Sequence, residues 1–305
     1  MQQFLLRRLL RAIIVIWGIS TIVFVVMRLS GDPVTLLLPP DATQADYARI
    51  SHELGLDQPM WVQYGIFISN MTHLDFGQSI HLRQPAFQVA MERLPATIEL
   101  ATAAFLLAVI VAIPVGVLAA MKPYSFWDNV AMFFALIGQS APTFFLGIML
   151  ILGLSLHLGL FPTGGRGDLS YLVLPAITLG ANAMASIARL TRSAMLEVIR
   201  KDYIRTARSK GLGERLILFR HAFKNAAIPV VTIMGIQLGG LLGGAVVTET
   251  VFSWPGIGRL AINSIYNRDY AVVQATVFMT AILFVFINFA VDLVYGFLDP
   301  RIRYS

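Results

Sequence analysis

Six stretches of this sequence carry no charged side chain: Ala12 to Met27, Leu100 to Met121, Asn129 to Gly165, Leu169 to Ala188, Asn225 to Thr248 and Tyr270 to Val291. They hold 16, 22, 37, 20, 24 and 22 residues. A helix needs roughly 20 mostly apolar residues to cross the hydrocarbon core of a bilayer, so five windows suffice alone. The first becomes long enough once Leu9, Leu10 and a snorkelling Arg11 are added. The third is too long for one span, but Phe161, Pro162, Gly164, Gly165 and Gly167 end it, leaving about 27 residues of tilted helix and a loop. Composition agrees, since 13% charged against 57% apolar is about half the charge of a soluble domain. The sequence therefore predicts an all-α polytopic membrane protein with six transmembrane helices, at residues 9–28, 97–121, 129–156, 170–189, 225–248 and 270–297.

The charges then say which side is which. With six spans and the N-terminus inside, the cytoplasmic face takes Arg7, Arg8, Arg11, Lys122, ten basic residues from Arg189 to Lys224, Arg301 and Arg303, which is 16 of the 23. The cytoplasmic excess is the positive-inside rule, and it also puts the C-terminus inside. A seventh window, Gln58 to Leu74, contains Pro59, Gln63, Asn70 and His73 and reads as an amphipathic surface segment. Counting it as a span would put the ten-residue basic cluster outside. An anionic leaflet and an acidic protein partner both account for that cluster, so nucleic acid is not an expected partner. The flank Met27 to Asp32 has no small-x-small cleavage pattern, so the first window reads as a retained helix.

Two segments between spans have their own organisation. Arg28 to Arg93, closing a first region at residue 94, falls outside, and turn signals punctuate it at Gly31-Asp32-Pro33, Pro39-Pro40, Gly55 to Pro59 and Asp75-Phe76-Gly77. Between them Ala42 to Leu54 reads as a short helix, capped by Asp41 or Thr43 and ended by Gly55. Residues 190–224 are cytoplasmic and helical, and Gly211 and Gly213 divide them into Thr191 to Lys210 and Glu214 to Phe223. In the fifth span Gly235, Gly239 and Gly243 lie four apart, with Gly240 and Gly244 as a second row. Such rows predict a close helix-packing face in lipid.

Several chemistries find no residues to carry them. No G-x-x-x-x-G-K-[ST] cradle is present, and His52, His73, His81, His157 and His221 lack metal-ligand spacing. The chain has no cysteine. Glu99, Glu249 and Asp292 each end a charge-free window, which gives no proton relay through the midplane and speaks against a proton-driven carrier. A passage would draw on Gln237, Glu249, Asn263 and Asn288, polar side chains within or beside the spans. No catalytic residue and no bound metal or cofactor is expected.

The stretch Asp202-Tyr203-Ile204-Arg205-Thr206-Ala207-Arg208-Ser209-Lys210-Gly211-Leu212, followed by Arg220 to Pro229, resembles the ATPase-coupling loop of permease subunits of binding-protein-dependent ABC importers, in the peptide, glutathione and nickel branch. The likeness extends to Gly31-Asp32-Pro33, Leu54 to Pro59, Asp75-Phe76-Gly77, Trp254 to Leu260, Arg268-Asp269-Tyr270 and the final Asp299 to Tyr304, and so covers essentially the whole chain. The long outer segment after the first helix is similar to the first (B-type) of the two related permeases. Arg205, Thr206 and Ala207 occupy the Glu-Ala-Ala positions of the general importer pattern and Gly211 its glycine, while Lys224 stands where the pattern has proline. The resemblance implies the ABC transmembrane type-1 importer fold over residues 95–298. It also implies docking on an ATPase through Asp202, Arg205, Thr206, Ala207, Lys210, Gly211 and Glu214. Implied partners are a second, different permease, two ATP-binding subunits that hold ATP and Mg, an external substrate-binding protein and the lipid bilayer. Peptide stands ahead of nickel as cargo, and the ending leans towards a glutathione or dipeptide system.

Overall fold

The structure, a computed structural model, describes residues 2–29, 38, 43–53 and 55–298. The Gly31-Asp32-Pro33 turn, the Pro39-Pro40 turn, the proposed Asp41 cap and the Asp299 to Tyr304 ending lie outside the described residues. Helices account for nearly all of it: α1 (Gln2–Leu29), α2 (Gln44–Glu53), α3 (Met60–Thr72), α4 (Ala86–Met121), α5 (Phe126–Ser140), α6 (Thr143–Leu150), α7 (Leu169–Ile199), α8 (Asp202–Ser209), α9 (Phe223–Val251), α10 (Ile257–Tyr266) and α11 (Tyr270–Leu298). A π-helical segment, Ile151–His157, extends α6, and Glu214–Leu216 with π-helical Ile217–Ala222 leads directly into α9. The chain forms two compact units, one of residues 1–96 and 255–286, the other of 97–254 and 287–305.

In the first unit, Thr43 caps α2 through a reciprocal box: its Oγ1 accepts the Asp46 N–H at 3.3 Å, and the Asp46 carboxylate accepts the Thr43 N–H at 3.1 Å. The helix ends at Glu53, where Gly55 turns left-handed (φ 64). The amphipathic segment forms α3, none of whose residues is buried. Its Tyr64 and Phe67 rings pack on Phe24 of α1, and Tyr64 Oη lies 2.8 Å from Thr21 Oγ1. A core of Phe76, Ala86, Val89, Ala90, Ile257, Val272, Ala275, Phe278 and Met279 joins the start of α4 to α10 and α11.

The second unit packs α7 against α4, α5, α6 and α9. Glycines set the closest crossing: a Cβ on Gly116 of α4 would lie 2.6 Å from the Ala188 carbonyl, and one on Gly180 of α7 would lie 2.7 Å from that of Ala104. Residues 104 and 116 of α4 thus face 180 and 188 of α7, so the two helices run parallel.

Three boundaries differ from expectation. Helix α4 begins at Ala86 rather than near residue 97, and its 36 residues reach ~54 Å, well beyond a hydrocarbon core. The stretch 129–156 is not one tilted helix. It breaks at Ala141-Pro142, and the two halves are bent by 114°. Pro142 has no N–H and forces Ala141 into the extended region (ψ 130), which stops α5 and restarts the chain as α6. The segment between the fourth and fifth spans is shorter than the expected 190–224, because α7 continues to Ile199 and the helix after Gly213 is continuous with the fifth span. Only residues 200–213 project from these two long helices.

Among the described residues five helices are long and apolar enough to span a membrane, and the bent pair makes a sixth if it crosses. Two ion pairs bear on its course. Asp128, in the first turn of α5, is paired with Arg192 near the end of α7, and Arg166, just before α7 begins, is paired with Glu99 of α4. Helix α7 is ~46 Å long, so Asp128 and Arg166 lie at opposite ends of it. The segment between them therefore runs from one end of α7 to the other, as a sixth crossing among the described residues would.

Candidate functional site

Helix α8 is a short amphipathic helix hung beneath the ends of three spans. Ile204 and Ala207 are buried in a core with Val117 and Ala120 of α4, Ala194, Met195 and Val198 of α7, and Ala222 and Ala226 where α9 begins. The opposite face exposes Asp202, Arg205 and Thr206, and Lys210 and Glu214 are exposed in the turn. Ala207 therefore sits on the inner, anchoring side of the helix, because the helical period places 204 and 207 on one side. Lys201 adopts an extended N-cap conformation (ψ 148), which separates α8 from α7, and Asp202 sits in the first turn, where a carboxylate suits the helix dipole.

The turn after α8 is a Schellman closure. The Leu212 N–H bonds to the Ala207 carbonyl at 3.4 Å, the Gly211 N–H bonds to that of Arg208 at 2.9 Å, and Gly211 takes φ 76. Arg208 then reaches across the turn, with Nη2 at 2.6 Å from Glu214 Oε1 and Nε at 3.2 Å from Oε2. This bond holds the Glu214 carboxyl below its ordinary range and raises the Arg208 guanidinium. Asn225 of α9 donates to Tyr203 Oη at 3.0 Å, a further tie between α8 and the fifth span. The tip is thus a basic, shape-fixed projection rather than a flexible loop.

A second tie lies beside it. The Asp128 carboxylate, 1% exposed, accepts Arg192 Nε at 2.6 Å, Arg192 Nη2 at 2.7 Å and the Tyr124 N–H at 2.8 Å. Ser125 caps α5 by accepting the Asp128 N–H at 3.3 Å. Sequence reading missed this pair, although an acid three residues after a serine at a helix start is a visible signal.

The expected passage residues find separate surroundings. Gln237 Nε2 donates to the main-chain oxygen and to Oδ1 of Asn182, each at 3.3 Å. Glu249 is fully buried and accepts the Thr97 hydroxyl at 2.6 Å, so in this conformation it lines no open path. It lies ~18 Å along α9 from Gln237. Asn263 is exposed on α10, and Asn288 is half-buried on α11. The glycine rows also divide: Gly239 is buried, Gly235 is half-buried, and Gly244 faces Leu179 of α7, where a Cβ would come within 3.1 Å. Gly240 and Gly243 are exposed, with nothing within 4 Å of a Cβ. One side of α9 is thus packed, and among the described residues the other is bare.

In the first unit, two motifs far apart in sequence meet. Ser79 donates to the buried Asp269 carboxylate at 2.5 Å, and His81 Nε2 lies 2.9 Å from the Asn267 carbonyl. A cavity of about 410 Å³ lies there, lined by Arg28, Phe76, Gly77, Gln78, Tyr270 and Gln274. Among the described residues no group of three or more His, Asp or Glu side chains is placed to hold a metal ion.

Known proteins match this sequence over its full length. Residues 112–304 match the family described as "Binding-protein-dependent transport system inner membrane component", and residues 1–101 match its N-terminal companion. The chain is 42% identical over 316 residues to the oligopeptide transport system permease protein AppB of Bacillus subtilis (strain 168), covering 100% of both. It is also 42% identical over 338 residues to the dipeptide transport system permease protein DppB of Escherichia coli (strain K12), again covering 100% of both. Among solved structures, an inward-facing MetNI methionine ABC transporter aligns with TM-score 0.59 at 20% identity, covering 70% of this chain and 97% of that one. An amino acid ABC transporter with histidines aligns with TM-score 0.55 at 15% identity, covering 68% and 94%. These structures share the helical fold of ABC transporter membrane subunits. With a family match over residues 112–304, the N-terminal companion over 1–101 and full-length relatives above 40% identity, the chain belongs to the family of binding-protein-dependent transport system inner membrane components.

Proposed function

We propose that this chain is one of two different permease subunits of an ATP-driven importer that takes up peptides handed over by an external binding protein. The observation that carries the cargo is full-length similarity to permeases named for oligopeptides and dipeptides, at 42% identity to each. ATP and Mg belong to two separate ATP-binding subunits, and this chain performs no hydrolysis. The coupling element is α8 with its turn, where Asp202, Arg205, Thr206, Lys210 and Gly211 form the docking face. Ile204 and Ala207 transmit its displacement to α4, α7 and α9. Glu214 acts through Arg208, holding the turn in shape.

Both termini are cytoplasmic in this reading, and α2, α3 and the turn at residues 77–85 face the binding protein. The bare side of α9, with Gly240 and Gly243, is the surface offered to the second permease. The access change is a movement of this packed unit against the second permease between two arrangements.

Reconstitution into vesicles tests the whole reading. With partner ATPases and binding protein present, uptake of a labelled dipeptide requires ATP and stops without either component. Uptake driven by a proton gradient alone, with no ATPase, would refute it.

A further inference from the structure

Three polar groups meet half-way along the spans of the second unit. Gln237 is the central residue of α9, Asn182 lies two residues from the centre of α7, and Gln139 is the penultimate residue of α5, beside the break at Ala141-Pro142. Gln237 Nε2 is bonded to Asn182 at 3.3 Å, and Asn182 Nδ2 lies 3.5 Å from the Gln139 carbonyl. Asn182 and Gln139 are nevertheless exposed, and Gln237 is only half-buried.

Polar side chains that merely glue membrane helices together are sealed between them, because an exposed amide in hydrocarbon is costly. Asn182 is exposed at bilayer mid-depth. The interrupted helix adds an independent indication, since broken backbone at that depth persists only where it is buried in protein or lines water. Each amide side chain offers two N–H donors and two acceptor lone pairs, more than the bonds between the helices use. These are neutral groups that match the alternating N–H and C=O of a peptide main chain and discriminate little among side chains. Without charge they also bind weakly enough to let a passing ligand leave.

We propose that Asn182, Gln237 and the Gln139 carbonyl form a contact site for the main chain of a peptide in transit, on the wall of a water-filled passage at the membrane midplane. The proposal rests on the peptide-import reading and adds Asn182 and Gln139 to it.

The cysteine-free chain makes the test direct. Asn182→Cys and Gln237→Cys are introduced singly into the assembled transporter in vesicles and treated with a membrane-impermeant thiosulfonate, with Ile110→Cys on the exposed apolar face of α4 as the control. The thiolate, which forms only in water, attacks the thiosulfonate's sulfenyl sulfur and expels a sulfinate to leave a mixed disulfide, so both sites react about tenfold faster than the control. Adding labelled dialanine with binding protein and ATP slows them. In parallel, Asn182→Leu and Gln237→Leu each lower uptake several-fold at unchanged subunit assembly.

Reaction no faster than at Ile110 would overturn the proposal, and so would cysteines shielded by the second permease. Uptake by both leucine variants equal to the unsubstituted transporter would do the same. Absence of ATP-dependent peptide uptake by the unsubstituted transporter refutes the import reading instead, and the reactivity comparison still decides whether the passage exists.

Discussion

Replacing Asp128 by alanine removes the hub at which the α4–α5 turn, the start of α5 and α7 are joined. The carboxylate is 1% exposed and accepts three bonds, two from Arg192 and one from the Tyr124 N–H. Breaking a buried ion pair from one side costs about 3–5 kcal/mol, because the remaining charge is left unpaired, and a stranded backbone N–H adds about 1–3 kcal/mol. Arg192 keeps 21% of its side chain exposed, so it can turn its head towards water. That relief brings the sum down to about 3 kcal/mol. The effect is about a hundredfold in the unfolding equilibrium, read by tryptophan fluorescence while the purified protein is titrated from a mild into a denaturing detergent. Asp128→Asn retains an acceptor but no charge and loses about 2 kcal/mol. The exposed cap Asp168→Ala, which removes only the bonds to Ser170, loses less than either Asp128 variant. An Asp128→Ala protein within about 0.5 kcal/mol of the parent would refute the argument, and the reading of this pair as a structural hub with it.

Gly211→Val forces a β-branched residue to φ 76 at a cost of about 1–2 kcal/mol, with open space around the new Cβ; membrane insertion is retained and co-purification of the ATPase subunits falls. Gly116→Ala drives a methyl against the Ala188 carbonyl and Thr191 and lowers the yield of folded protein, while Gly243→Ala, with nothing within 4 Å, leaves that yield unchanged in size-exclusion profiles. Because Arg208 depresses the Glu214 pKa, the clamp is complete above the ordinary carboxylate pKa of about 4.3 and is lost as pH falls through the lower, folded value. A spin label at Leu212 therefore keeps constant mobility from pH 8 to 6 and loosens only in the acid range below the ordinary carboxylate pKa, and Glu214→Gln removes that transition.

Charge distribution alone made six spans legible, because the cost of burying charge acts directly on the sequence. What it concealed were features set by relations between helices. Pro142 was visible in the third window, yet the window read as one helix, since a proline in a membrane span kinks or breaks depending on what its neighbours supply. Ala86 to Ala96 carries Glu92, Arg93 and Pro95 and does not look like membrane, although it is helical because Ala86, Val89 and Ala90 pack on α10 and α11. The alternation of buried Ile204 and Ala207 with exposed Arg205 and Thr206 was present in the sequence, but the motif likeness drew attention to Ala207 as a docking residue. Gly116 and Gly180 are lone glycines without a repeat, so only the helix crossing reveals their purpose. Asp128 and Arg192 are 64 residues apart, and no local pattern connects them.

The second unit is fastened at both ends, which bears on where an access change can occur. At one end Asp128 and Arg192 join α5 to α7, and Ile204 and Ala207 lock α8 to α4 and α7. At the other, Arg166 Nε bonds to Glu99 at 2.9 Å, the Arg166 guanidinium lies over the Trp254 ring at 6.0 Å, and the Gly165 N–H bonds to the Phe252 carbonyl at 2.8 Å. Tilting α7 alone by 10° about its middle would move each end of a ~46 Å helix by ~4 Å, more than any of these bonds can stretch. The unit must therefore turn as one body, and opening must take place against something other than its own helices. Glu99→Cys and Arg166→Cys, joined by a short bifunctional thiol reagent in the otherwise cysteine-free chain, test this. Turnover and peptide uptake should persist in the cross-linked transporter, because the linked groups travel together. Uptake abolished by the cross-link and restored by a cleavable version of the same reagent would show instead that the Glu99–Arg166 contact opens in each cycle, and the rigid-unit argument would fail.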